Sequence, residues 1–250
     1  MNHTIKKGSN LPALLFWTGV WWLGAKALGN ALLLPTPWQV LRCLTELAVT
    51  EVFRQTVALS IGRILLGVVT SVLLGVVLAV LTTRSRLAHM LIAPAMTAMQ
   101  VTPVASFTIL VLIWLDRDWV PVLICAMMVL PVIWNDVSTG IQTVDVQLLE
   151  MAKVFRLSKT QVLKRIYLPS VLPFFRTACS SALGLGWKAG IAAEVIGLPT
   201  GSLGENLYNV KVYYMTADLF AWTAVIVVVS VVFEKLFLKI IDTAAGKAGG

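Results

Sequence analysis

Charge is scarce in this chain, so the places where it gathers are the places to look for chemistry. Only 13% of the 250 residues are charged. Yet Glu150, Lys153, Arg156, Lys159, Lys164 and Arg165 all fall in one stretch, LLEMAKVFRLSKTQVLKRIYLP at 148–169. Glu150 can accept charge-assisted hydrogen bonds that hold the segment's own shape or a partner's surface. Long apolar runs flank the stretch on both sides. A polar, helical segment between such runs cannot sit in hydrocarbon, so it lies at a water face, where it can touch another protein.

A second set of polar side chains lies inside the apolar runs. Arg63 stands among small residues. Thr102 and Ser106, with Thr97 and Gln100, surround Pro94 and Pro103. Lys188 and Glu194 share one run with Arg176. Ionisable groups at such positions face other helices or a water-filled route rather than lipid. The residues by themselves leave two readings open: a lining for a pathway, or hydrogen bonding between helices. Lys188 and Glu194 are six positions apart, so they do not share a helical face. Lys188 is a candidate for a positive region along an anion route. Glu194 is a candidate for that route or for pairing with a group such as Arg63 or Arg176.

Other chemistry is excluded by what is missing. No GxxxxGK[ST] loop occurs, so the chain holds no ATP in that way, and no cofactor is expected in it. Cys43, Cys125 and Cys179 are widely separated, with no CxxC spacing, and read as small buried hydrophobes rather than metal or redox ligands. His3 and His89 read as surface residues. No Ser/His/Asp constellation is visible, and no enzyme is expected.

The elements that must position these residues follow from composition. The chain is 58% hydrophobic, and several uncharged runs reach about 18 residues, enough to cross roughly 30 Å of hydrocarbon. The fold class expected is all-α: a polytopic membrane helical bundle of about six spans, near 11–34, 57–81, 90–115, 119–137, 170–196 and 219–241. Residues 1–56 form an N-terminal span plus an interfacial helix over 38–56, and 57–242 form the core with the polar segment 145–169 inserted. Lys6 and Lys7 precede a first span read as retained, since no small-residue cleavage pattern follows. Lys26 within it snorkels or faces other helices. Prolines 94 and 103 can bend the third span, and Gly197, Pro199, Gly201 and Gly204 mark 197–217 as loop.

Charge also sets the sides. With six spans, and with Lys235 and Lys239 at the inner end of the last span counted with the C-terminal tail, twelve of the twenty Lys and Arg fall on the side holding both termini and the polar segment. Four fall opposite, and Lys26, Arg63, Arg176 and Lys188 lie within spans. Positive residues stay inside, so both termini and 145–169 are expected to be cytoplasmic. The net charge of +8 is then topology, not nucleic-acid binding.

Within 145–169, Leu149, Ala152, Leu157, Val162 and Ile166 recur on an apolar face, and Ser158 with Gln161 makes a capping box. The pattern predicts helix, a break at Arg156–Leu157, then helix, closed by Leu168–Pro169. Here the chain resembles the type I ABC importer permeases. Their cytoplasmic signature is Glu-Ala-Ala, three residues, Gly, nine residues, Ile, one residue, Leu-Pro. This chain has Glu150, Met151, Ala152, Arg156, Ile166, Leu168 and Pro169 in that spacing without a gap, departing at Met151 and Arg156. LPTP at 34–37, SIGRILLG at 60–67, VTPVA at 101–105 and WKAGIAAEVIG at 187–197 resemble the nitrate/sulfonate/taurine branch. The similarity covers about 34–242. It implies a MetI-like permease fold in a bacterial inner membrane and two permease copies forming a pathway. It implies that the segment around Glu150 seats in a cytoplasmic ABC ATPase that holds ATP and Mg. It also implies an extracytoplasmic binding protein that delivers a small anion or sulfonate-like solute. Without the resemblance, an ion-coupled secondary transporter or a channel acting without an ATPase stays open, a class that would carry inverted repeats or paired ionisable groups at midplane.

Overall fold

A backbone with no water to bond must satisfy its own amides, and the chain does so as helix almost throughout. The computed structural model describes residues 11–248, and among these no strand occurs. Lys6 and Lys7 lie outside the described residues.

The first helix, α1 (Leu11–Leu28), ends at Gly29, whose φ of 60° is left-handed. Lys26 lies over the Trp22 ring, 5.6 Å from its centroid. A short turn leads to α2 (Pro37–Ala48), which Thr36 and Gln39 start with a reciprocal capping box. Trp21 ties the two together, donating from Nε1 to Pro35 O at 3.0 Å. The interfacial helix expected over 38–56 stops at Ala48. Thr50 is the reason: its hydroxyl donates to Leu47 O at 2.7 Å and accepts from Phe53 N at 3.2 Å, closing one helix and capping the next. That next helix, α3 (Glu51–Arg84), has 34 residues, about 51 Å by helical rise and longer than the hydrocarbon it crosses.

Ser85 caps α4 (Arg86–Val101), and α5 (Val104–Val111) follows after Thr102 and Pro103. The third span, expected as one element over 90–115, is therefore two helices at 105°. Pro103 lacks the N–H that would carry the ladder through, and the preceding Thr102 is extended at φ −70°, ψ 124°. After a turn through Asp116–Asp118 comes α6 (Val120–Gln142), then α7 (Val146–Val154) and α8 (Lys159–Val162). A π-turn at Leu163–Tyr167 runs into α9 (Leu168–Gly197). Residues 197–217, expected as loop, contain α10 (Leu203–Val212), and α11 (Thr216–Ala248) is the last described helix. On length and composition, α3 and α6 each suffice to cross a membrane and the α4–α5 pair could make a third span. α1, α9 and α11 have 18, 30 and 33 residues, with charged or polar side chains interspersed.

The centre of the bundle is α3, α6 and α9. Small residues let their backbones approach. A Cβ added at Gly67 would lie 2.7 Å from Val122 O; at Gly75, 2.8 Å from Ile133; at Gly190, 2.7 Å from Ile64. Hydroxyl and indole groups bridge what remains: Ser71 Oγ donates to Ala126 O at 3.0 Å, and Trp134 Nε1 to Thr82 Oγ1 at 3.0 Å. Cys125 and Cys179 are buried in this core as free thiols, and Cys43 is partly exposed.

Candidate functional site

The polar segment folds as an elbow with a core of its own. Asp145 starts α7 by accepting from Gln147 N at 2.8 Å. Val144, Ala152 and Ile166 are buried together, with Leu149, Leu157, Val162 and Tyr167 packed against them. The corner is a Schellman turn: Leu157 N donates to Ala152 O at 2.9 Å and Arg156 N to Lys153 O at 3.1 Å. Such a turn requires a left-handed residue, and Arg156 supplies it at φ 51°. The glycine of the signature is thus absent while its backbone geometry is kept. Ser158 and Gln161 form the capping box of α8. Leu168 and Pro169 open α9 and are exposed, with Pro169 in its first turn, where a missing N–H is harmless.

What the elbow shows to water is apolar and charged at once. Val154 and Phe155 are 79% and 70% exposed, and Met151 is exposed beside them. Glu150 is exposed and makes no ion pair or side-chain hydrogen bond among the described residues. Ala152, by contrast, is 2% exposed and supports the corner from within. Arg84, at the end of α3, shares a cleft of about 370 Å³ with Leu157, Lys159 and Tyr167, so the elbow abuts the long central helix.

At the far end of α9 the structure brings Arg63 and Glu194 together. Glu194 is fully buried. Its Oε2 accepts from Ser60 Oγ at 2.8 Å and from Gly204 N at 3.2 Å, and Ser60 Oγ in turn accepts from Leu203 N at 2.9 Å. Arg63, 14% exposed, donates to Asp118 Oδ1 at 2.6 Å and Thr200 O at 3.1 Å, with its Nη1 4.0 Å from Glu194 Oε1. A carboxylate at the first amides of a helix satisfies donors that have no partner in the helix itself. That explains α10. Gly197, Pro199 and Gly201 cover only its approach, and its first amides, Gly204 among them, find Ser60, Ser202 and Glu194, with Ser60 and Glu194 on other helices. Ser60 and Gly204 carry this cluster with Glu194; the sequence offered Ser60 only as part of SIGRILLG and Gly204 only as a loop marker.

The other candidates lie apart. Lys188 is exposed on α9. Thr102 and Ser106 flank the α4–α5 bend, where Thr102 Oγ1 donates to Ala98 O at 2.6 Å and Ser106 is exposed. One polar surface was missed. Asn135, Asp136 and Thr139 of α6 face Pro173, Phe174 and Thr177 of α9 across a cleft of about 450 Å³. Asp136 sits at the end of an apolar run and reads from sequence as a boundary residue.

Comparison with known proteins identifies the family. Residues 71–245 match the family described as binding-protein-dependent transport system inner membrane component. The chain is 25% identical over 238 residues to the aliphatic sulfonates transport permease protein SsuC of Bacillus subtilis (strain 168), covering 94% of this chain and 85% of that one. It is 27% identical over 222 residues to the taurine transport system permease protein TauC of Escherichia coli (strain K12), covering 86% and 80%. Among solved structures, an amino acid ABC transporter crystallised with histidines superposes with a TM-score of 0.63 at 17% identity. That match covers 82% of this chain and 97% of the other and speaks to fold alone. The chain belongs to the binding-protein-dependent transport system inner membrane component family, the multi-pass permeases of ABC transporters.

Proposed function

We propose that two copies of this permease form the pathway of an ATP-driven importer, with the elbow at 145–169 seated in a cytoplasmic ATPase. Closure of the ATPase pair on ATP and Mg turns the permeases outward-open, and an extracytoplasmic binding protein delivers the solute, a small anion or sulfonate-like molecule. Both termini are cytoplasmic in this arrangement. The observation that carries the proposal is the elbow. A helical corner with its own small core transmits a rigid-body shift, where a flexible loop would absorb it. Its bare Val154 and Phe155, with Glu150 beside them, are what a groove on another protein would grip. Thr102, Ser106 and Lys188 remain the pathway candidates, and Arg63 and Glu194 act on it from the outer end by holding α10. The family match and the elbow support this reading over a carrier or channel working without an ATPase.

The test is co-purification of the permease with its nucleotide-binding subunit, followed by uptake in liposomes. Glu150→Lys or Phe155→Asp is expected to release the ATPase while the permease stays folded. Full ATP-driven uptake by the Phe155→Asp complex would end the proposal.

A further inference from the structure

The inner end of α6 carries a carboxylate that no basic group in the described chain neutralises. Asp136 is half-buried, about 9 Å from the C-terminal end of its helix by helical rise. No Lys or Arg among the described residues lies within ion-pair distance of it. The basic residue of the adjoining part of α9, Arg176, is committed elsewhere, clamping Asp242 of α11 through two hydrogen bonds of 2.5 and 2.9 Å. An unpaired carboxylate inside a membrane helix marks a functional site more often than a structural one.

The groups around Asp136 say what that site would take. Thr139 Oγ1 donates its proton to Asn135 O at 2.9 Å, and Thr177 Oγ1 donates to Pro173 O at 3.1 Å. Both hydroxyls therefore present only lone pairs to the cleft. Asn135 Nδ2 donates to Asp136 Oδ1 at 3.3 Å, which leaves the amide carbonyl free. Phe174 adds an aromatic wall, which favours a cation over an anion. The cleft is thus a set of acceptors around one negative charge, with the second Asn135 amide hydrogen its one remaining side-chain donor. An anion entering it meets the Asp136 charge and a single amide donor. A protonated amine meets three or four acceptors and brings three donors.

We infer that this cleft is an inner station of the translocation pathway that takes the protonated amine of a passing solute. The inference rests on the importer reading above and narrows its solute class: the transported acid also carries an amine. Lys188 is exposed on α9 three helical turns beyond Thr177, about 16 Å further out and on nearly the same face. The two charges are too far apart for one small solute to touch both. They act in succession, Lys188 on the acidic end nearer the outside and Asp136 on the amine nearer the cytoplasm.

The experiment is charge-selective thiol labelling. Thr139→Cys is introduced with Cys43→Ser, since Cys125 and Cys179 are buried, and the permease is co-expressed with its ATPase and studied in inside-out membrane vesicles. Two probes of similar size are used, 2-(trimethylammonio)ethyl and 2-sulfonatoethyl methanethiosulfonate. With Asp136 present the cationic probe is favoured, and Asp136→Asn lowers the cation-to-anion rate ratio by about tenfold or more, as expected for one charge at close range. ATP with vanadate, which locks the ATPase, slows labelling by both probes as the inner mouth closes. An unchanged ratio in Asp136→Asn would overturn the amine station. A Thr139→Cys thiol inert to both probes, or indifferent to vanadate in vesicles that retain the ATPase, would overturn its place in the pathway. Retention of the ATPase, scored in the same vesicles, reads the importer proposal separately.

Discussion

Removing the Glu194 carboxylate tests what ties the C-terminal end of α9 to α3 and α10. In Glu194→Ala the Gly204 amide, buried and bonded at 3.2 Å, loses its acceptor. Ser60 loses one at 2.8 Å but keeps the Leu203 amide. An orphaned buried donor costs about 1–3 kcal/mol. Arg63 loses the carboxylate 4.0 Å away but keeps Asp118 and Thr200, so this part of the loss stays well below the several kcal/mol of a fully stripped buried charge. Together the expected loss is about 2–4 kcal/mol, a fall of roughly 5–10 °C in melting temperature for a chain of this size. Glu194→Gln keeps an acceptor for Ser60 and Gly204 and should fall between the two. The local readout is amide hydrogen exchange. Leu203 and Gly204 should lose protection in Glu194→Ala, while the elbow amides at Phe155 and Leu157 do not. A double-mutant cycle with Ser60→Ala should give a coupling of about 1–2 kcal/mol. Wild-type protection at Gly204 in Glu194→Ala, or a melting temperature within about 1 °C of wild type, would refute the reasoning.

Other expectations can be checked with the same protein. Arg156→Gly relieves a left-handed non-glycine residue and should leave the elbow equally stable or firmer by up to about 1 kcal/mol, with ATPase coupling intact. Arg156→Pro, whose ring forbids that φ and removes the N–H bonded to Lys153, should expose the elbow to protease and abolish coupling. Gly67→Val and Gly75→Val force α3 from α6 and should lower stability by about 2–4 kcal/mol or block assembly. Gly62→Ala and Gly184→Ala meet nothing within 4 Å and should be tolerated, as melting curves in detergent would show. Lys188→Met should reduce uptake of an anionic solute by the reconstituted complex without changing its melting temperature; unchanged uptake and selectivity would remove Lys188 from the route.

Where local rules decide the structure, the residues announce it, and the elbow is the case in point. Ser158 and Gln161 cap a helix wherever they meet, and Leu168–Pro169 can only open the next one, so the helix–break–helix pattern was legible residue by residue. Arg156 adds a sharper lesson. The signature position demands a backbone conformation rather than a side chain, and the packing of Ala152, Ile166 and Leu157 holds that conformation even against the preference of arginine. The misread parts all depend on partners distant in the chain. Helix α10 looked like loop because its glycines and proline are local, while the groups that satisfy its first amides come partly from Ser60 and Glu194, on other helices. Asp136 looked like the edge of a span because the threonine that turns it into an acceptor cleft sits on α9, beyond the whole elbow. The elbow is therefore more than a handle. It joins α6 to α9, whose direct packing, Gly140 against Phe174 and Gly186 against Val129, places Thr177 on the same cleft as Asp136. Because helix runs unbroken from Leu163–Tyr167 into α9, a rotation of the elbow is expected to reach the cleft, and cross-linking the elbow should alter labelling at Thr139→Cys.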